Sequence, residues 1–158
     1  MTLQQMFDQE LSRLGSGSVA RVLVAEESPR RAYCEVTEHN SLAVSFNVVR
    51  LSTSELADAT PADLERIGSA LSDRLTYLME PIAPIELDSE ACVVQLRSNP
   101  PQLDDDGRSY YELLVNRGGQ ISLSRYRKEN GNARQPITAT VTREVLLRLI
   151  GDFCEVLH

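Results

Sequence analysis

The chain has 158 residues, of which 42% are hydrophobic and 25% are charged, as is typical of a single folded domain. Its net charge of −7 argues against general nucleic-acid binding. The sequence contains no apolar run long enough to span a bilayer and does not begin with a secretory signal pattern. Three widely spaced cysteines do not make a disulfide framework, and two histidines offer little material for a zinc site. We therefore predict a reduced cytoplasmic protein that has no membrane segment, metal or cofactor.

The first segment predicts an amphipathic helix over residues 2–14. Thr2 and Gln5 have the spacing of a capping box, and apolar residues then recur at helical spacing as far as Leu14. The glycines and serines of residues 15–18 are typical of a short flexible connector. This helix is therefore separable from the rest of the chain, and it packs either on its own sheet or on a partner.

A first βββα half is predicted over about residues 19–80. Its helix begins at Thr60, a capping residue, with Pro61 at the first helical position. The stripe of leucine and isoleucine that follows is spaced by three and four residues, and Pro81 and Pro84 are expected to end it. Strands are predicted at residues 19–25, 32–37 and 42–51.

A second half, over about residues 85–158, repeats this order and ends in a helix that Thr142 would cap. The register of its hairpin follows from keeping apolar side chains on one face. A three-residue loop at residues 117–119 achieves this, whereas a two-residue loop would place apolar residues beside serines. The three-residue loop pairs Tyr111, Leu113 and Val115 with Ile121, Leu123 and Arg125. Strands are predicted at residues 91–97, 110–115, 121–128 and, as a short last strand, 137–141.

The predicted fold is a single domain of residues 1–158 in the α+β class. It is a two-layer structure, an antiparallel sheet with helices packed on one face, with the element order α-βββ-α-βββ(β)-α. This order, the small size and the acidic charge are similar to those of secretion chaperones, which are small α/β dimers that bind extended segments of a partner chain. The similarity is one of topology and carries no motif, so it implies no functional residue. It favours a binding role over an enzymatic one.

The sequence predicts no catalytic residue. His39 is expected in an exposed turn, which leaves Ser-His and Cys-His chemistry without a base. Cys34 and Cys92 are expected as buried thiols in strands, and Cys154 lies among acidic residues at a helix C-terminus, which disfavours a reactive thiolate. The contiguous acids of residues 104–106 are typical of a solvated loop rather than of a calcium site.

One surface remains as a candidate binding site. In the predicted register Tyr110 lies opposite Tyr126 on the outer face of the sheet, near Leu114 and Lys128. Aromatic and basic side chains on such a face can stack bases or anchor a peptide, although a tyrosine pair across two strands is also ordinary. Leu114 would need a cover from a second subunit or a partner. A basic patch of Arg125, Arg127 and Arg134 would adjoin this surface.

The leading hypothesis is a non-enzymatic, chaperone-like protein-interaction module. Its candidate partners are a second copy of the chain, in a homodimer, and another protein chain. The alternative is a small-molecule-binding protein or enzyme with a pocket between the sheet and the helices, in which a buried carboxylate would have a raised pKa. Nucleic-acid binding through the basic patch is a third hypothesis, which the net charge disfavours.

Overall fold

The computed structural model describes residues 1–158, apart from the side chains of residues 18 and 19. Its described residues form three α-helices and a ten-stranded antiparallel sheet, which confirms the predicted α+β class and element order. No described helix is both long and apolar enough to cross a membrane.

The helices begin where the capping residues predict. The Thr2 side chain accepts a hydrogen bond from the Gln5 amide at 3.2 Å, and the Gln5 side chain accepts one from the Thr2 amide at 2.9 Å. Thr60 and Asp63 form the same reciprocal pair at the second helix. The helices are α1 (Leu3–Ser12), α2 (Pro61–Arg74) and α3 (Arg143–Glu155), with a 3-10 turn at Ser54–Leu56.

The sheet joins two antiparallel meanders. The strands are β1 (Gly17–Glu27), β2 (Arg30–His39), β3 (Ala43–Thr53), β4 (Ile82–Asp88), β5 (Val93–Ser98), β6 (Gln102–Leu103), β7 (Gly107–Asn116), β8 (Gln120–Glu129), β9 (Gln135–Ile137) and β10 (Ala139–Thr142). The main strand order is β1-β2-β3-β8-β7-β5-β4. The meanders meet at the centre, where β3 pairs with β8 from Val48–Ser124 to Ser52–Gln120.

Three details differ from the predicted strands. Ile82–Asp88 is a strand, although Pro84 was expected only to end a helix; a proline is tolerated there because β4 lies at the edge of the sheet. Cys92 lies in the turn before β5 with a φ of 51°, rather than within a strand. The predicted short last strand is two strands, because β9 pairs with β8 and β10 pairs with β3.

The three helices cover one face of the sheet, and their apolar stripes share one core with the inward side chains of the strands. The first helix packs on its own domain, since Phe7 and Leu11 are fully buried in this core. Arg143 of α3 also donates to the Asp8 carboxylate at 2.6 and 2.8 Å. The opposite face carries no helix, and we refer to it as the helix-free face.

Candidate functional site

The β7–β8 hairpin has the predicted register. Tyr111 pairs with Arg125 and Val115 with Ile121, so residues 117–119 form the three-residue loop. Gly119 supplies the left-handed residue, with a φ of 98°. Tyr110 consequently lies opposite Tyr126, and the ring centroids are 6.2 Å apart. Side chains alternate along each strand, so Tyr110, Glu112, Leu114, Tyr126 and Lys128 all belong to the helix-free face.

A buried carboxylate on the helix-free face connects two arginines. Glu112 is only 4% exposed, although no helix covers it. Arg97 of β5 donates to its Oε2 at 3.2 Å. Arg134, from the segment between β8 and β9, donates to the same oxygen and to Oε1 at 3.3 Å. These charge-assisted hydrogen bonds satisfy a carboxylate that would otherwise be buried at a high cost.

The two arginines also lie over the tyrosine pair. The guanidinium carbon of Arg97 is 4.6 Å from the ring centroid of Tyr110, and that of Arg134 is 3.9 Å from the centroid of Tyr126. Cation–π attraction and the shared carboxylate therefore hold the same groups together. We call this set the Glu112 cluster; it comprises Arg97, Tyr110, Glu112, Tyr126 and Arg134.

The direction of the pKa shift at Glu112 indicates that this carboxyl group is ionised at neutral pH. Burial alone would raise the pKa of Glu112, but hydrogen bonds and charge attraction from Arg134, with Arg97 contributing, outweigh burial and hold this pKa below its usual value. The Arg134 pKa is raised by the same pairing. The cluster is therefore internally neutralised except for one positive charge.

The structure does not bring the three arginines of the predicted basic patch together. Arg125 and Arg127 alternate with Tyr126 along β8 and point to the helix-bearing side of the sheet, whereas Arg134 is on the helix-free side. Arg125 pairs with Glu80 at 2.8 Å, and Arg127 pairs with Asp104 at 2.8 Å. Each of the three arginines is thus neutralised by a carboxylate of its own chain.

Asp104 lies in the acidic loop that was predicted to be solvated. Hydrogen bonds from Arg127 and from the backbone amides of Asp106 and Gly107 lower the Asp104 pKa to about 2. The loop is therefore fixed to β8 by an ion pair. A surface cleft of about 430 Å³ adjoins this pair, lined by Arg127, Glu129, Asn132, Ala133, Gln135 and Ile137.

Arg50 is a feature of the helix-free face that the sequence patterns did not predict. It lies in the centre of β3, between Tyr33 of β2 and Ser122 of β8. Its guanidinium carbon is 5.0 Å from the Tyr33 ring centroid, and its buried Nε has no hydrogen-bond partner. Arg50 takes part in no ion pair in the described part of the chain. Arg50 is therefore a half-buried cation, and unlike Arg125 and Arg127 of β8 it has no carboxylate partner in the described part of the chain.

Arg50 is also the middle of a row of side chains that crosses five strands. Strand pairing aligns Val24 with Tyr33, Tyr33 with Arg50, Arg50 with Ser122, and Ser122 with Leu114. All five are half-buried. At about 4.8 Å per strand, an apolar residue lies about 10 Å from Arg50 on either side. The row thus has apolar ends and a cationic centre.

His39 differs from its sequence prediction, whereas the burial of the three cysteines agrees with their predictions. His39 is only 5% exposed, so the exposed-turn prediction is wrong: β2 continues to this residue, and pairing with Gly17 covers it. Cys34 and Cys92 are buried and Cys154 is half-buried. Burial raises the pKa of the Cys34 thiol and of the Cys154 thiol, which disfavours the reactive thiolate.

Comparison of the chain with protein-family models, with curated proteins and with solved structures found no match. The functional argument therefore depends on the geometry of the helix-free face.

Proposed function

We propose that the protein is a non-enzymatic interaction module that binds an extended segment of a partner protein on its helix-free face. The observation that carries this proposal is Arg50, a half-buried arginine with no carboxylate partner in the described part of the chain. The proposal also agrees with the similarity in element order to secretion chaperones, which bind extended segments.

The chemistry of Arg50 selects an acidic group. A guanidinium presents several donors in one plane, which matches the two oxygens of a carboxylate, and the Tyr33 ring restrains that plane. Partial burial removes water from the Nε without supplying a protein acceptor. A glutamate or aspartate of the partner would supply the missing acceptor. Because the Tyr33 ring already restrains Arg50, this binding would cost little side-chain conformational entropy.

The row around Arg50 sets the spacing of the partner's side chains. Val24 and Leu114 lie about 10 Å from Arg50 on its two sides, and three residues of polyproline-II helix advance about 9 Å. That helix has three residues per turn, so side chains three residues apart share a face. The best-fitting segment therefore has a central acidic residue with an apolar residue three positions before it and three after it.

Peptide display against the intact protein tests this proposal. We expect selected peptides to carry the apolar–acidic–apolar pattern. We expect Arg50→Gln to weaken their binding about 10- to 100-fold by calorimetry, because a charged hydrogen bond contributes about 1.5–3 kcal/mol. Arg31→Gln is the matched control, since Arg31 is exposed in the neighbouring strand and belongs to the same face.

Three results would contradict the proposal. They are a selection that enriches no sequence, enriched peptides that lack an acidic residue, and equal binding of the peptides by Arg50→Gln and Arg31→Gln. Binding that instead depends on the cleft beside Arg127 would move the function to the other side of the sheet and favour a pocket.

A further inference from the structure

The two edges of the sheet differ in how well they are protected against pairing with another strand. At one edge, β4 carries Pro84, and its pairing with β5 is irregular between Pro84 and Glu86. Proline and irregular pairing are devices that prevent edge-to-edge association. At the other edge, β1 pairs regularly with β2 from Arg21 to Glu27 and has four consecutive apolar residues and no proline. An edge of this kind is a template for a further strand.

We infer that the β1 edge pairs antiparallel with the β1 edge of a second copy, about a two-fold axis through Val24. This inference does not rest on the function proposed for Arg50, although Val24 belongs both to the row around Arg50 and to this edge. It makes a symmetric interface in which the same residues are used twice. The two sheets would become one continuous sheet, with the helices of both protomers on the same side.

Charge complementarity selects the register. In an antiparallel pair, directly opposite side chains lie on the same face of the sheet. Residues of β1 that share a face differ by an even number of positions, so the two-fold axis must pass through a residue rather than between two residues. With the axis at Val24, Arg21 of one protomer lies opposite Glu27 of its partner, and this happens twice. An axis at Leu23 would place Arg21 opposite Ala25, and an axis at Ala25 would place Glu27 opposite Leu23. Only the Val24 register pairs the opposite charges.

Local geometry supports the same centre. Val24 is the middle residue of the regular stretch from Arg21 to Glu27, and the irregularity between Ser18 and Arg21 ends that stretch. Arg21 and Glu27 are both exposed, and neither takes part in an ion pair among the described side chains. Val22 is 53% exposed and would lie diagonally against Val24 of the partner.

Cysteine cross-linking gives a direct test of the register. The Val24→Cys variant, in a Cys154→Ser background, places two thiols opposite each other with Cα atoms about 4.5–5.5 Å apart, which suits a disulfide. The matched control is Val22→Cys, a more exposed position whose two copies would lie about 13 Å apart along the strands. Under mild oxidation we expect a covalent dimer from Val24→Cys and mostly monomer from Val22→Cys. Equal cross-linking of both, or none at Val24→Cys, would overturn the register.

Charge reversal tests the interface without a covalent bond. Arg21→Glu and Glu27→Arg each replace two attractive pairs by two repulsive ones, and we expect each to raise the dimer dissociation constant at least tenfold in sedimentation velocity. The double variant restores both pairs and should restore the dimer, which also excludes misfolding as the cause. Glu86→Arg, at the other edge, should leave the dimer unchanged. A monomeric wild-type chain, or a double variant no better than the singles, would refute the inference.

Discussion

The helix-free face contains two groups of arginine and tyrosine that differ in one respect. In the Glu112 cluster, two arginines stack on tyrosines and share a carboxylate. Around Arg50, one arginine stacks on Tyr33, and the described chain supplies no carboxylate to it. Stacking on tyrosine is common to both groups, and the carboxylate partner is what distinguishes them. The function proposed for Arg50 rests on this difference.

The position of Glu112 explains why the first group is structural. A carboxylate at 4% exposure is stabilised only while its hydrogen-bonding partners remain. Tyr33, by contrast, donates its hydroxyl hydrogen to Glu35 at 3.0 Å, and the buried Nε of Arg50 has no hydrogen-bond partner. The Glu112 cluster is therefore expected to contribute to stability and Arg50 to binding.

The largest effect is expected from Glu112→Gln. The amide keeps the shape of the side chain but leaves two arginines close together without a counter-charge. Breaking a buried pair in this way costs about 3–5 kcal/mol, and we expect about 2–4 kcal/mol because the Arg97 and Arg134 side chains are 32% and 38% exposed. Urea unfolding measures this loss. Glu86→Gln, on an exposed edge, should change stability by less than about 0.5 kcal/mol. Equal losses in the two variants would show that the cluster is not structural.

The next effect concerns the two arginines of the cluster. Arg97→Met and Arg134→Met should each cost about 1–2 kcal/mol, because Glu112 keeps one partner in either variant. The double variant leaves the buried carboxylate with neither, so its loss should exceed the sum of the two single losses by about 1 kcal/mol. A double-mutant cycle by urea unfolding measures this excess. Strict additivity would mean that the arginines do not share Glu112.

Much of the fold was predictable from local patterns. Capping residues located the helix starts, and the alternation of apolar residues around Gly118 and Gly119 fixed the β7–β8 register. From that register followed the position of Tyr110 opposite Tyr126. These predictions succeeded because each depends on neighbours within one turn or one hairpin.

The rest of the candidate site depends on contacts between distant segments. Arg97 reaches Glu112 through β5–β7 pairing, and Arg134 comes back over the sheet from the following loop. Arg50 becomes central only because β3 joins the two meanders. The one available signal was that Glu112 follows Tyr110 by two residues and so shares its face. His39 was mispredicted for the same reason, since a distant glycine pairs with it.

A smaller effect is expected as the pH is lowered. The folded-state pKa of Glu112 is below its ordinary value of about 4.3, so the pair stabilises the protein fully above that value and this contribution is lost as pH falls through the folded pKa. We expect the stability difference between the wild-type protein and Glu112→Gln to shrink as the pH is lowered from 6 toward about 3. Urea unfolding across this range measures it, and the other carboxylates cancel in the comparison. A constant difference would show that Glu112 does not titrate with the fold.

The smallest effect on stability is expected from Arg50→Met. Methionine preserves an aliphatic side chain against Tyr33 while removing a guanidinium whose buried Nε has no partner. No carboxylate loses a counter-charge, so urea unfolding should show a change within about 0.5 kcal/mol, of either sign. The same variant should lose peptide binding. A loss of stability as large as that of Arg134→Met would mean that Arg50 is held by the fold in the way that the Glu112 cluster is. The presence or absence of a carboxylate partner would then no longer support Arg50 as the residue that binds the partner protein.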